Sequence, residues 1–504
     1  MPGSVNPARS EWDVIVVGGA PPGETISLYG SQAGLSVALV EQDRVGGECL
    51  FWACMPSKAL LLPVQARNLA VDLPGMRQLV NGRRVDPGAV LARRDEITFN
   101  HDDKESVDLM LSNDVDVIRG RGRLAGPRTV EVSDDGRTRE ITARQAVVLS
   151  PGTDAAVPPI PGLAEAKPWR SRDVTNMHEV PRRVVMIGGG VVACEAATWL
   201  RGLGVEELTL VFPGERLLGM KEPFVGDLVL AAFQADGITV LTGTPVTGVS
   251  RERVEDLGIG RGHGGPVTVT VGDGDGEQIV ADEVVVATGR VPNSRDIGLE
   301  TVGLSTTDRG FVEVDDHMTV PGTAWLYVLG DLTGRAALTH MGKYHARIAG
   351  EVIAARAVGR PLDERPYNPY TDHADKDGAP QVIFCDPEVA SVGLTEAEAL
   401  DREIPVEVVE RDFAGIDGAR LAREHYVGRA KLVVDNVGDT LVGATFVGPG
   451  VSELLHAATV AVTAKVPVPA LRHAVASFPT ISEIWLYLLE ELRQQRGEVR
   501  RSAA

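Results

Sequence analysis

Cysteine is scarce in this chain: Cys49, Cys54, Cys194 and Cys385 are the only four in 504 residues. So few exclude a secreted fold held together by disulfides. No second Cys/His pair lies near Cys49 and Cys54 in sequence, so a zinc site is not expected either. Basic residues are in the minority, 50 against 70 acidic, for a net charge of −20. That balance disfavours nucleic acid or an anionic membrane as a partner. Long apolar runs are also missing. The longest candidate, around Val184–Leu200, is interrupted by three glycines and Glu195, so no membrane span is expected. The opening stretch MPGSVNPARSEW has no apolar signal-peptide core, and a cytoplasmic location is the expectation. Aromatics reach only 5%.

What is abundant is Gly, Ala and Val, a mixture suited to tight turns and buried strands. The hydrophobic share of 43% and charged share of 24% are ordinary for globular proteins. At about 100–200 residues per domain, the length suggests roughly three domains. Within this background Cys49 and Cys54 lie close together in GGECLFWACMPSK. In a reducing compartment a close pair of this kind is more often catalytic or redox-active than structural. The spacing by itself leaves two readings open, a redox pair or two buried thiols.

Two segments carry a dinucleotide fingerprint. Residues 12–23, WDVIVVGGAPPG, read as a strand, a glycine turn and a helix start, and the next strand, SVALVEQD, reaches an acid at Glu41, 18 residues after Gly23. An acid near that distance suits a ribose hydroxyl, and the glycines let backbone approach a pyrophosphate at a helix N-terminus. Ala20 takes the place of the middle glycine. The second copy, RRVVMIGGGVVA, has Gly188, Gly190 and Ala193 in the three small positions. Its following strand, ELTLVF, ends at Phe212, 19 residues after Ala193, where a ribose-binding acid would stand. No arginine follows to suggest a bound 2′-phosphate, so the fingerprint leaves the nucleotide open.

Taken together, GGECLFWACMPSK, GGGVVACEAA, VVVATGRVPN, LYVLGD, DPEVASVGLTEAEA and FPTISE occur in the order found in class I pyridine nucleotide–disulfide oxidoreductases, the family of dihydrolipoamide dehydrogenase, glutathione reductase, mycothione reductase and mercuric reductase. The chain resembles that family from about Asp13 to about Glu490. The resemblance implies an α/β fold with two Rossmann-like dinucleotide-binding domains and a C-terminal α+β dimerisation domain. FAD would be bound by residues 1–162 and 292–368, NAD(P)H by 163–291, and a homodimer would form through 369–495, leaving 496–504 as a tail. Carried over residue by residue, Gly18, Ala20, Gly23, Glu41, Gly47, Asp331 and Thr339 would hold FAD. Gly188, Gly190, Ala193 and Gly289 would line the NAD(P) site. Lys58 would pair with Glu195 beside the flavin and stabilise negative charge on the reduced ring. Cys49 and Cys54 would be the redox disulfide. Cys54, at the start of the helix MPSKALLL, would be the thiol next to the flavin with a lowered pKa, and Cys49 the interchange thiol that attacks the acceptor. Cys194 and Cys385 have no partner in the family motifs and read as buried structural residues.

Three departures from the family stand out. Leu-Phe-Trp-Ala fills the space between the cysteines, and such bulky rings would reshape the substrate side or the flavin face. Val191 stands where several members have a tyrosine over the nicotinamide site. Most consequential, the C-terminal motif that carries a proton-moving His in the family reads Ser477-Phe478-Pro479-Thr480 here, with its carboxylate partner retained as Glu483. In the family that His comes from the partner subunit. Phe478 cannot carry a proton, and His473 lies out of register, which makes it a surface or structural histidine. Three functions follow for consideration. One is an FAD-dependent NAD(P)H reductase of a disulfide or another small acceptor. The second is a reductive C–S cleaving enzyme resembling 2-ketopropyl-coenzyme M oxidoreductase/carboxylase, which also has Phe at the base position. The third is a flavin-loaded dimer without catalysis, against which the retained cysteines, Lys58 and Glu195 argue. The first is the expected one.

Overall fold

The computed structural model describes residues 9–80, 82–272, 276–374 and 378–498. The chain divides into two compact units. The first comprises Met1–Pro56, Asp95–Ala155 and Arg290–Asp375; the second comprises Ser57–Arg94, Ala156–Gly289 and Lys376–Ala504.

In the first unit, apolar residues run almost without a break along Glu11–Val17 and Val37–Glu41, the pattern of strands buried on both faces. They form a parallel sheet in which Val115–Arg119, Val37–Glu41, Glu11–Val17 and Arg137–Leu149 lie side by side, with Leu326–Val328 paired to the last. An antiparallel meander through Arg121–Gly126 and Thr129–Asp134 extends the edge. Ile26 of helix Pro21–Gln32 and Ile348 and Val352 of helix Thr339–Ala357 share one core with Val14, Val16 and Leu39. Ile15, Val17 and Val147 bury the opposite face. Glu11–Val17 thus has a neighbour on each side reached by opposite crossovers, so a crevice opens at its carboxyl end, where Gly18 begins the turn. Helix Pro21–Gln32 starts with proline, whose missing N–H costs nothing in a first turn.

The second unit contains a parallel sheet of Thr239–Leu241, Glu207–Val211, Arg183–Ile187 and Glu283–Val286. The helix after its glycine turn, Val191–Leu203, stops at Gly204, which takes the left-handed conformation that L-residues with a Cβ avoid. The apolar stretch Val184–Leu200 is therefore a strand and a helix separated by its glycines. Among the described residues, the helical run long and apolar enough to cross a membrane is instead Glu48–Asp72, judged by length and composition. A five-stranded antiparallel sheet, Gln381–Ile383, Val389–Gly393, Thr440–Val447, Arg429–Asp435 and Val406–Asp412, closes the unit, with helices Leu455–Thr463 and Ile484–Gln495 on its apolar face. The α/β class expected from the sequence, with two dinucleotide-type sheets and a C-terminal α+β part, is the class observed.

A buried ion cluster braces the second unit. Lys431 Nζ lies 2.9 Å from Glu222, 2.6 Å from Glu396 and 3.2 Å from Glu410, and the Lys431 and Glu222 side chains are only 3% and 2% exposed. Burial alone would push the ammonium's pKa down, but the three carboxylates outweigh it and hold Lys431 above the ordinary lysine value. Lys431→Met would strand Glu222 as an uncompensated buried charge. The expected loss is about 3–5 kcal/mol of stability, read as a lower urea midpoint with an unchanged slope. An unchanged midpoint would show that the cluster contributes nothing net.

Candidate active site

The glycine turn after Glu11–Val17 is built for close backbone approach. Gly18 has φ +106°, and a Cβ there would lie 2.2 Å from the Ser150 carbonyl oxygen. A Cβ on Gly23 would lie 1.9 Å from the Gly18 oxygen, so the helix start sits directly on the turn. Ala20 fits because its φ of −72° is ordinary for any residue. Its methyl faces Gly47, whose own Cβ would come within 2.7 Å of it. The loss of a glycine at 20 is accommodated by a glycine at 47. Glu41 is buried; one carboxylate oxygen accepts the Gly19 N–H at 2.6 Å and the other the Asp43 N–H at 2.7 Å. Burial raises its pKa, and these N–H donors oppose the rise. A side-chain-free cradle at a helix N-terminus with a carboxylate beside it fits the ADP half of a dinucleotide.

Asp331 sits in a short helical turn, Gly330–Thr333. It accepts from Thr153 Oγ1 at 2.6 Å, and Arg290 donates to Thr153 Oγ1 at 2.5 Å and to the Thr153 carbonyl at 2.6 Å. Thr153 carries no motif that marks it in the sequence, and Arg290 lies in VVVATGRVPN without a role there; pairing of strands Thr153–Ala155 and Arg290–Pro292 brings them to Asp331.

The cysteines lie on an unusual stretch of helix. Glu48–Trp52 is a single wide turn with i→i+5 hydrogen bonding, broken at Ala53 before helix Cys54–Asp72 begins. Such turns concentrate at functional sites. In an ordinary α-helix residues five apart point to different sides; here the wide turn and the break bring Cys49 and Cys54 into hydrogen-bonding contact. Both are half-buried thiols. The hydrogen bond to Cys54 first, and burial second, push the Cys49 thiol far above its ordinary pKa, while a hydrogen bond from Thr339 opposes this. Thr339 Oγ1 also lies 3.3 Å from Cys54 Sγ. Cys54 and Thr339 each begin a helix, so two positive helix ends converge on the pair.

Phe51 and Trp52 are turned into the interior of the unit. Phe51 is fully buried and Trp52 is 7% exposed, its ring 4.7 Å from the His101 ring, with the Arg44 guanidinium 5.4 Å from the indole. The rings expected to reshape the substrate side or the flavin face are thus packed inside the unit. The wide turn rotates them inward, where His101 is held by three successive left-handed residues, Phe99, Asn100 and His101.

In the second unit, Lys58 Nζ donates to Glu195 Oε2 at 2.7 Å, and Glu195 Oε1 accepts the Phe384 N–H at 2.9 Å. The ammonium lies 4.7 Å from the centre of the Phe384 ring. The pairing expected from the motifs is present, and Phe384 is the partner that sequence reasoning missed. Cys194 and Cys385 are both fully buried, and burial pushes both thiols up. They are inert packing residues.

At the second glycine turn, Gly188 has φ +140° with the Ala287 carbonyl 2.3 Å from a Cβ position, whereas Gly190 and Gly289 face open space. Ala193 is buried. The Phe212 ring lies over Gly189, 2.7 Å from its Cβ position. This cradle fits a second dinucleotide, with an apolar ring at the ribose-reading position. Val191 is half-buried.

The C-terminal motif is split. Phe478 is 71% exposed and His473 is exposed. Glu483 is buried, and its Oε2 has no hydrogen-bond partner among the described residues.

The profile of the pyridine nucleotide-disulphide oxidoreductases matches residues 12–346, well over half of the chain. The chain belongs to this family. The dimerisation domain of the same family matches residues 379–488. A dihydrolipoyl dehydrogenase of Chlamydia muridarum is 30% identical over 481 residues, covering 94% of this chain and 95% of that protein. A mercuric reductase of Staphylococcus aureus is 27% identical, covering 94% and 81% respectively. Among solved structures, the HOCl-induced flavoprotein disulfide reductase RclA of Escherichia coli matches with a TM-score of 0.77 at 22% identity, over 95% of this chain and 99% of that one. LpdA of Mycobacterium tuberculosis matches at 0.78 and 21%, over 96% and 99%. At such identities the two structures establish a common fold. As a member of this family the protein is an FAD-dependent oxidoreductase that uses NAD(P)H.

Proposed function

We propose that the protein passes electrons from NAD(P)H through a Cys49–Cys54 disulfide to a disulfide or another small acceptor, and that it works as a homodimer in the cytoplasm. The observation that carries this reading is the contact between the two thiols at the converging helix starts. Residues 1–162 and 292–368 would bind FAD, with Gly18, Ala20, Gly23, Glu41, Gly47, Asp331 and Thr339 as its holders. Residues 163–291 would bind NAD(P)H along Gly188, Gly190, Ala193 and Gly289, and 369–495 would form the dimer interface. Bound FAD supplies two-electron transfer from the nicotinamide to the disulfide.

The chain's own residues then do the rest. Lys58 brings a positive charge that Glu195 and Phe384 hold in one place, one helical turn after Cys54. In the reduced pair the hydrogen bond with Cys54 and burial favour the protonated form of Cys49. Cys49 must lose that proton to attack, after which Cys54 displaces the mixed disulfide and re-forms the bond between the two cysteines.

Anaerobic titration with NADH and NADPH, followed by a panel of lipoamide, glutathione disulfide, quinones and a β-keto thioether with CO2, tests the proposal. Reduction of one of the disulfides or quinones supports it. Turnover of the thioether alone would instead favour the C–S cleaving reading, and no response to either nucleotide would refute both.

Nucleotide choice is expected to be weak or tilted to NADPH, because Phe212 offers no acceptor to a ribose 2′-OH. Phe212→Glu would add a charge-assisted hydrogen bond of about 1.5–3 kcal/mol. The ratio of dissociation constants should then move toward NADH by roughly tenfold or more. A wild type already strongly selective for NADH would show that another residue reads the ribose.

A further inference from the structure

Trp52, which lies between the two cysteines, is fastened to a segment that the proposed chemistry does not use. Phe99, Asn100 and His101 have φ of 53°, 50° and 59°, three left-handed residues in succession. Single residues, asparagine above all, visit that region, but a run of three persists only where its surroundings hold it. The chain leading into Cys49 is part of those surroundings. Arg44 Nε donates to the His101 carbonyl at 2.7 Å, and the Val45 N–H donates to Asp103 Oδ2 at 2.8 Å. Arg119 joins the two segments, donating to Asp103 at 2.5 Å and to the Asp43 carbonyl at 2.8 Å. Beyond Cys49 the chain returns to the same place. The Trp52 ring lies 4.7 Å from the His101 ring, tilted by 34°, and the Arg44 guanidinium lies 5.4 Å from the indole centre. His101 therefore grips the chain on both sides of Cys49, by its carbonyl through Arg44 and by its ring through Trp52.

We infer that the contact of Trp52 with His101 and Arg44 fixes the reach between Cys49 and Cys54 and so sets how readily their disulfide forms. Trp52 and His101 are positioning residues, and the inference rests on the two cysteines being the redox pair of the proposed function. The link between them, Leu50 to Ala53, is short but not rigid by itself. A free link would lose its conformational freedom when the ring closes. Held at Trp52, the wide turn has already lost much of that freedom in the dithiol form, so closure costs less, as it does for any pre-organised pair. Without the contact, the dithiol form would loosen while the disulfide form stays tied through its own bond. Removing the contact therefore favours the dithiol. Exchange with dithiothreitol reads this balance. The bond between Cys49 and Cys54 breaks and both sulfurs take protons, while dithiothreitol gives up two electrons and two protons and closes to its cyclic disulfide.

The test equilibrates the FAD-loaded protein without oxygen in buffers of graded oxidised-to-reduced dithiothreitol ratio. Acid quenching, alkylation and peptide mapping then give the fraction of the Cys49–Cys54 pair that is cross-linked. Trp52→Leu should need a ratio about three- to tenfold higher than wild type to keep half of the pair oxidised, the range that an aromatic contact of this kind supplies. His101→Asn removes the ring at a half-buried position and suits a left-handed backbone. It should move the midpoint in the same direction. The double variant should move it no further than the larger single change, because each loses the same contact. Asn100→Gly keeps both rings and accepts the left-handed backbone, so its midpoint should match wild type. Packing alone would lower the urea midpoint of Trp52→Leu and leave the redox midpoint where it was. Redox midpoints within about twofold of wild type for Trp52→Leu and His101→Asn, or shifts that add in the double variant, would overturn the inference. If Trp52→Leu does not fold, His101→Asn alone decides by the same criterion. A wild type that forms no cross-link between Cys49 and Cys54 in any buffer would overturn the proposed function itself.

Discussion

Cys49→Ser and Cys54→Ser are each expected to abolish NAD(P)H-dependent disulfide reduction while leaving reduction of a one-electron dye such as ferricyanide in place. A serine hydroxyl neither forms the disulfide nor ionises near neutral pH, so the exchange has no substitute nucleophile. The dye draws electrons without the pair. The two variants should nevertheless differ in their remaining thiol. Cys54→Ser replaces the neighbouring thiol that contributes most to the raised pKa of Cys49 with a neutral hydroxyl that can donate to a Cys49 thiolate. Cys49 should therefore alkylate at lower pH in Cys54→Ser than in reduced wild type. The sign is fixed: a thiol held above its ordinary pKa gains thiolate at a given pH when the cause is removed. Disulfide reduction persisting in Cys49→Ser would exclude the pair as the route. Slower alkylation of Cys49 in Cys54→Ser would show that Cys54 activates rather than restrains it.

Phe478→His is expected to raise the rate of dialkyl disulfide reduction, toward the about 10²–10⁴-fold that a positioned acid or base contributes. The structural motive is Glu483. Its buried Oε2 is unpaired among the described residues, and such a group costs about 1–3 kcal/mol when left unsatisfied. An imidazole at 478 would give that oxygen a donor, and the carboxylate would fix the ring. Dye reduction should not change. Glu483→Leu should cancel the gain made by Phe478→His. If Phe478→His leaves the disulfide rate unaltered while the protein remains dimeric, the absence of the His carries no catalytic consequence.

The parts legible in the sequence are those whose chemistry is local. Glycine spacing after an apolar strand gave both crevices, since a Cβ at Gly18, Gly23 or Gly188 would collide with backbone. The acid at the end of the next strand gave Glu41, which does lie against Gly19. Lys58 and Glu195, 137 residues apart, were joined through two family motifs and do form an ion pair. Groups supplied from distant chain without a motif were not legible. Phe384 reaches Glu195 by a backbone N–H, which any residue has. Thr153 reaches Asp331, and Arg290 of VVVATGRVPN reaches Thr153, through a two-stranded pairing too short to announce itself. The inward packing of the aromatic pair between the cysteines was not legible for a conformational reason. A regular helix would turn Phe51 and Trp52 differently, and composition does not reveal a wide turn.

The most direct measurement is a thiol map before and after anaerobic addition of NAD(P)H. Air-oxidised protein should contain a Cys49–Cys54 cross-linked peptide. One equivalent of nucleotide should convert it into two alkylatable thiols at those positions, with Cys194 and Cys385 protected by burial throughout. Free thiols at Cys49 and Cys54 in the oxidised protein, or no new thiols on reduction, would contradict the assignment of this pair as the electron carrier.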